Sequence, residues 1–189
     1  EAKAALAQAP DNYHLLAAMG KVKAAQQEYA EAITYYQRAS AIVPQPEVVI
    51  ALGDLYTHTG QLEAAATQYA LLDVIRQINQ ANGVRADLIM ARFYADHDRH
   101  LPEALPEAEA IYKTRKNIFA ADTLAWCYYK NGRYEEAGKI IKKALQQHTP
   151  DAAILFHAGM IYAKLGHRAT AQTYLSQALS LNGAIHPLY

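Results

Sequence analysis

The densest concentration of chemically capable side chains is Asp96-His97-Asp98-Arg99-His100. Imidazole and carboxylate are zinc ligands, and His97 and His100 are three residues apart. A metal site needs three or four groups converging on one point, however, and a short charged stretch between helical segments reads more simply as a solvated turn. The His-Glu-x-x-His pattern that would set two ligands on one helix face is absent. The remaining histidines are scattered, and His157 reads as a core or shoulder residue. Cys127, the single cysteine, sits beside Trp126, the single tryptophan. A nucleophilic thiol needs a neighbouring base or a lowered pKa. Nothing adjacent supplies either, so Cys127 reads as structural. No Gly-rich phosphate loop and no Gly-x-Ser-x-Gly elbow occurs. Two basic groups, Lys113 with Arg115 and Lys116, and Lys139 with Lys142 and Lys143, complete the inventory. With Glu135 and Glu136 close by, the second group is expected to form i, i+4 pairs on a solvated helix face. The expectation is a protein with no catalytic, cofactor or metal constellation.

Composition narrows the classes further. The 189 residues hold 18 Lys and Arg against 18 Asp and Glu, a formal net charge of zero. Split at residue 95, the halves carry −2 and +2. Nucleic-acid binding driven by charge needs a concentrated basic footprint, so no nucleic-acid partner is expected. Hydrophobic residues make up 52%, too many for a disordered chain. No apolar run approaches the ~18 residues of a membrane span, so membrane insertion is not expected. One cysteine excludes an internal disulfide framework. The chain opens Glu-Ala-Lys-Ala-Ala without Met, as an excised piece or a processed chain would.

The elements that must position any site come from a repeat. Small residues recur at Gly20, Gly53, Ala91, Ala125 and Gly159, spaced 33, 38, 34 and 34. A second series, Ala32, Ala65, Ala104, Ala137 and Ala171, is spaced 33, 39, 33 and 34. The offset between the series holds at 12 or 13 throughout. Around each first anchor, apolar residues fall at i, i+3, i+4 and i+7, as in Val49, Leu52, Gly53 and Tyr56, which makes one buried helical stripe. Thr59-Gly60, Asn131-Gly132 and Leu165-Gly166 follow as turns, their glycines suited to a left-handed helix terminus. Then comes a second stripe, such as Ala137, Ile141 and Ala144. The long second spacing places its excess in Leu71 to Ala86, read as a lengthened second helix closed by Asn82-Gly83. Pro102 and Pro106 leave two alternatives for the third unit. Either the helix starts ahead of Pro102 and carries Pro106 inside it, or it starts at Pro106 after a longer loop.

A ~34-residue helix-turn-helix unit with this alternation of small and large residues resembles the tetratricopeptide repeat. Residues 122–137, from Asp122 through Trp126 and Asn131-Gly132 to Ala137, match it especially closely, and Pro10, Pro44 and Pro150 sit where that family ends its second helix. The resemblance implies an all-α, right-handed superhelical array of antiparallel helix pairs, in one continuous domain. Five units are expected at about 13–45, 46–83, 84–117, 118–151 and 152–185. Residues 1–12 would be the second helix of an upstream repeat and 186–189 a tail.

The resemblance also implies that first helices line a concave groove. In the fourth unit Phe119, Asp122, Trp126 and Tyr129 form a row pointing away from the buried stripe. Together with Lys21, Asp54, His58, Arg92, Lys130 and Met160 they make a mixed surface with one aromatic patch. Trp126 and Tyr129 are the expected anchors, since binding energy concentrates in Trp, Tyr and Arg; a packing role for Trp126 between neighbouring units stays open. The family's chaperone-carboxylate clamp is not expected: of the matching places, Ala17, Lys21, Ile50, Ala51 and Asp54, only Lys21 is of a suitable type. The function implied is a non-enzymatic scaffold for a protein or peptide partner. The alternatives are a homo-oligomerisation module and the repeat region of a larger enzyme.

Overall fold

A computed structural model describes residues 6–83 and 87–181. Its elements are α1 (Tyr13–Ala25), α2 (Tyr29–Ile42), α3 (Pro46–His58), α4 (Leu62–Ala81), α5 (Leu88–Asp96), α6 (Leu101–Thr114), α7 (Ile118–Lys130), α8 (Tyr134–Ala144) with a short 3-10 turn over Leu145–Gln147, α9 (Ala152–Lys164) and α10 (Arg168–Leu181). The described residues contain no strand. Residues 6–8 are helical ahead of α1. The rest of the expected upstream helix at 1–5, and the chain from 182 through the expected tail, lie outside the described residues.

Odd- and even-numbered helices start differently, and the sequence shows why. Asn12, Asp87, Asn117 and Asp151 cap α1, α5, α7 and α9, each side chain accepting backbone N–H bonds of the first turn. Such a cap stabilises a helix by about 1 kcal/mol. α3 starts instead with Pro46, whose missing N–H is no loss in a first turn. The second helix of each pair follows a tight turn. In the α7–α8 turn, Gly132 takes φ +75° and Arg133 N–H donates to the Tyr128 carbonyl. This is a Schellman closure, which satisfies carbonyls left open at a helix end. Gly60 and Gly166 do the same. Gln27 and Asp98 accept the left-handed conformation without being glycine, at φ 62° and 52°.

Chain contacts gather into two compact units, one up to Asn82 and one from Gly83. The lengthened helix is present: α4 has 20 residues, Asn82 is its C-cap, and Gly83 follows at φ +83°. Its buried residues are Ala65 and Leu72, while Val74 and Ile78 in the extension are about half exposed. The extra turns therefore add little to the core at the point where one unit ends.

In the first unit, α1 packs on α2, α2 on α3, and α3 on α4. Its core holds Leu16, Ala32, Tyr36, Val48, Leu52, Leu55 and Tyr56. Close approach explains the small anchors. A Cβ on Gly53 would lie 2.5 Å from Tyr69 Cε1, so the tyrosine ring occupies the space a side chain would need.

In the second unit, α5–α6, α7–α8 and α9–α10 are the helix pairs, and the first helices also stack on one another, α5 on α7 and α7 on α9. The core around α7–α9 is built from Ala121, Ala125, Ala137, Ile141, Ile154, Ala158 and Ile161. Pro106 lies inside α6, which starts at Leu101 with Pro102 in its first turn. That selects the first of the two alternatives.

Candidate partner-binding face

α5, α7 and α9 bring one network together in the second unit. Trp126 Nε1–H donates to Asp96 Oδ1 at 2.8 Å, joining α7 to α5. His157 Nδ1 lies 2.8 Å from Asp122 Oδ1, joining α9 to α7. Arg92 reaches both carboxylates at 3.5 Å, through Nε to Asp96 and Nη1 to Asp122. The Trp126 indole stacks with His157 at a centroid distance of 4.2 Å and with Tyr129 at 4.7 Å. Lys130 Nζ stands 5.4 Å from the indole centroid and pairs with Asp98.

Burial sets the electrostatics. Asp122 is fully buried, and Oδ2 has no hydrogen-bond partner beyond the long Arg92 ion pair. Burial alone pushes a carboxyl up, but His157 and then Arg92 override it and hold Asp122 below the usual carboxylate range. Burial works against the Arg92 cation in the same way, and Asp122 and Asp96 more than compensate, so Arg92 stays charged. Truncating one partner of the buried Asp122–His157 pair costs about 3–5 kcal/mol. The Cys127 thiol is pushed up to about 12 by burial, with Asp96 and Asp122 adding to the shift. It is an inert packing residue.

The nine residues expected on a groove divide by unit and by depth. Lys21, Asp54 and His58 belong to the first unit. Lys21 and His58 are exposed there. The His58 ring meets Tyr29 edge-on at 4.6 Å. Asp54 is 2% exposed and accepts a 2.8 Å bond from Tyr69 O–H. In the second unit, Arg92, Asp122, Trp126, Tyr129 and Lys130 are brought together, and Met160 is half-buried one turn beyond His157 on α9. Asp54, Asp122 and Trp126 are not surface groups: they are held inside by hydrogen bonds. For Trp126, at 2% exposed, the geometry is that of the packing role. Phe119, from the same row, is the aromatic that reaches solvent, at 49% exposed.

Two other expectations change. Asp96 is the inward-facing partner of Trp126, not part of a solvated turn. In that same turn His97 Nδ1 lies 2.8 Å from the Phe93 carbonyl and the His100 ring meets Tyr94 at 4.9 Å. Glu136 pairs with Arg133 rather than with a lysine of α8. Among the network residues, His157 is the one that the row arithmetic missed. The i, i+4 spacing of Arg92 and Asp96 was the one available signal. The described residues contain no group of three or more His, Cys, Asp and Glu placed to hold a metal ion, and none of their helices is long and apolar enough to cross a membrane.

Comparison with known proteins agrees with the repeat. Residues 15–50 match the tetratricopeptide repeat family. Residues 97–182 match the family described as anaphase-promoting complex, cyclosome, subunit 3. Response regulator aspartate phosphatase E of Bacillus subtilis (strain 168) is 27% identical over 168 residues, covering 76% of this chain and 44% of that protein. The chain thus spans less than half the length of that relative. A solved tetratricopeptide repeat protein from Parabacteroides merdae ATCC 43184 superimposes with a TM-score of 0.53 at 20% identity, over 96% of this chain and 71% of that one. That is a likeness of fold.

Proposed function

We propose that this chain, an array of tetratricopeptide repeats, is a non-enzymatic scaffold whose α5, α7 and α9 present a binding face for a peptide segment of a partner protein. The observation that carries the reading is the Arg92–Asp96–Asp122–Trp126–His157 network. It fixes three neighbouring first helices to one another through their polar sides. A face held rigid before binding loses little entropy on binding. The groups around the network are suited to contact: Phe119 is half exposed, the Arg92 side chain is 33% exposed, and Tyr129, Phe156 and Met160 are half-buried. In this reading Trp126 and Asp122 position the face, while Phe119, Arg92, Tyr129 and Met160 touch the partner. Aromatic and arginine anchors of this kind dominate interface energetics.

A random-peptide display selection against the full chain tests this. Peptides that emerge are expected to lose about tenfold in affinity with Phe119→Ala or Met160→Ala. They should keep it with Leu179→Ala, an exposed leucine of α10. Failure to enrich any peptide, or enriched peptides indifferent to both substitutions, overturns the proposal.

A further inference from the structure

A second surface of the same unit lies away from the network. A cleft of about 380 Å³ is lined by Tyr112 and Lys116 at the end of α6, Asn117, Ile118 and Ala121 at the start of α7, and Lys143, Gln146 and Gln147 at the end of α8. Arg115 and Lys142 stand next to its two lysines in sequence, and Lys113 and Lys139 lie one turn before them. Residues 110–121 and 137–150 contain no Asp or Glu. Three of the flanking acids are engaged elsewhere. Glu109 accepts from Tyr128 O–H at 2.8 Å and lies 3.9 Å from Arg133, Glu136 pairs with Arg133 at 2.8 Å, and Asp151 caps α9. Lys139 also acts electrostatically on Glu136, which places it at the edge of the patch. No ion pair among the described residues uses Lys113, Arg115, Lys116, Lys142 or Lys143.

A favourable helix C-terminus accounts for one or two lysines per helix. It does not account for two acid-free stretches from different helices meeting at one cleft. The amides add direction. Asn117 Oδ1 is held by the Ala120 N–H at 2.8 Å, which leaves its NH₂ group as the donor end. Gln146 and Gln147 are exposed at the opposite wall. Residues 83–189 hold thirteen Lys and Arg against ten Asp and Glu, so the imbalance belongs to this unit.

We infer that the α6–α8 cleft is a docking site for an acidic peptide segment of a partner, its carboxylates set between Lys116 and Lys143 with Asn117 and Gln147 donating to them. The row Lys139, Lys143 spans only one helical turn. Such a footprint suits a short run of Asp or Glu better than the long phosphate track of a nucleic acid, which needs a basic stripe. This site is separate from the α5–α7–α9 face, and either proposal can fail without the other.

The experiment is fluorescence anisotropy of a labelled octaglutamate peptide with the full chain, across salt concentrations. Binding should weaken steeply with salt. Lys116→Glu and Lys143→Glu should each weaken it by about fivefold or more. Arg168→Glu, an exposed charge on α10, should change it less than about twofold. All three positions are exposed, and circular dichroism checks folding. No binding, or equal loss in all three variants, overturns the proposal. So does an octaglutamine control that binds equally well, or a single-stranded oligonucleotide that displaces the peptide at lower concentration than unlabelled octaglutamate. Sedimentation at low salt completes the test: a mass that rises with concentration, and stops rising in Lys143→Glu, would assign the cleft to a second copy of this chain instead.

Discussion

Trp126 offers the sharpest separation between a side chain that holds the fold and one that holds a partner. Trp126→Phe keeps an aromatic ring between α5, α7 and α9 but removes the Nε1–H that meets Asp96 at 2.8 Å. Asp96 is nearly buried, its side chain 8% exposed, so its lost donor is not simply replaced by water. A hydrogen bond to a charged group is worth about 1.5–3 kcal/mol, and about 2 kcal/mol is the expected loss. Trp126→Ala also empties the space between His157 and Tyr129, and large aromatic-to-alanine changes in cores cost about 3–5 kcal/mol. Repeat arrays draw stability from each unit and its neighbours, so the loss should fall on the second unit and split or broaden the transition. Urea unfolding followed by circular dichroism is the assay, since the protein's only tryptophan is the residue replaced. A Trp126→Phe midpoint equivalent to within about 0.5 kcal/mol of the parent, outside the range expected for such a bond, would show that the Trp126–Asp96 bond does not hold the fold.

Three further outcomes follow from the same structure. Asp122 has a depressed folded-state pKa, so its contribution is present above the ordinary carboxylate value of about 3.9 and is lost as pH falls through the folded value. Acid titration of stability should therefore be shallower in Asp122→Asn, which should also be about 3 kcal/mol less stable at neutral pH; equal acid profiles would contradict this. Gly53→Ala places a Cβ against the Tyr69 ring, which must shift away from its bond to Asp54; a loss of about 1–3 kcal/mol is expected in thermal melts. Cys127 is buried, with its thiol raised to about 12, so thiol reagents should label it only in denaturant; rapid labelling of the native protein would show the site to be open.

The periodic part of this fold was legible because it is local. Gly20, Gly53 and Gly159 announce close helix pairs, and Gly60, Gly132 and Gly166 announce left-handed turns, from their own positions in the repeat. The lengthened α4 showed in the spacing alone. The network was less legible because it is made between helices. Row arithmetic shows that Asp122 and Trp126 point away from the buried stripe of α7. It cannot show that Asp96, 26 residues before Asp122, and His157, 35 residues after it, close over that side. A polar row facing solvent and a polar row facing two stacked neighbours have the same sequence pattern. Phe119, on the same row, stays half exposed at the surface. Burial along α4 was hidden for a related reason: spacing reports that a helix is longer, not that its added turns bury little.

Hydrogen–deuterium exchange on the full chain, with and without a selected peptide, reads the α5–α7–α9 face itself. Added protection is expected in Leu88–Asp96, Ile118–Lys130 and Ala152–Lys164, the three helices joined by the network. Protection confined to α8 and α10, with those three helices unchanged, would contradict it.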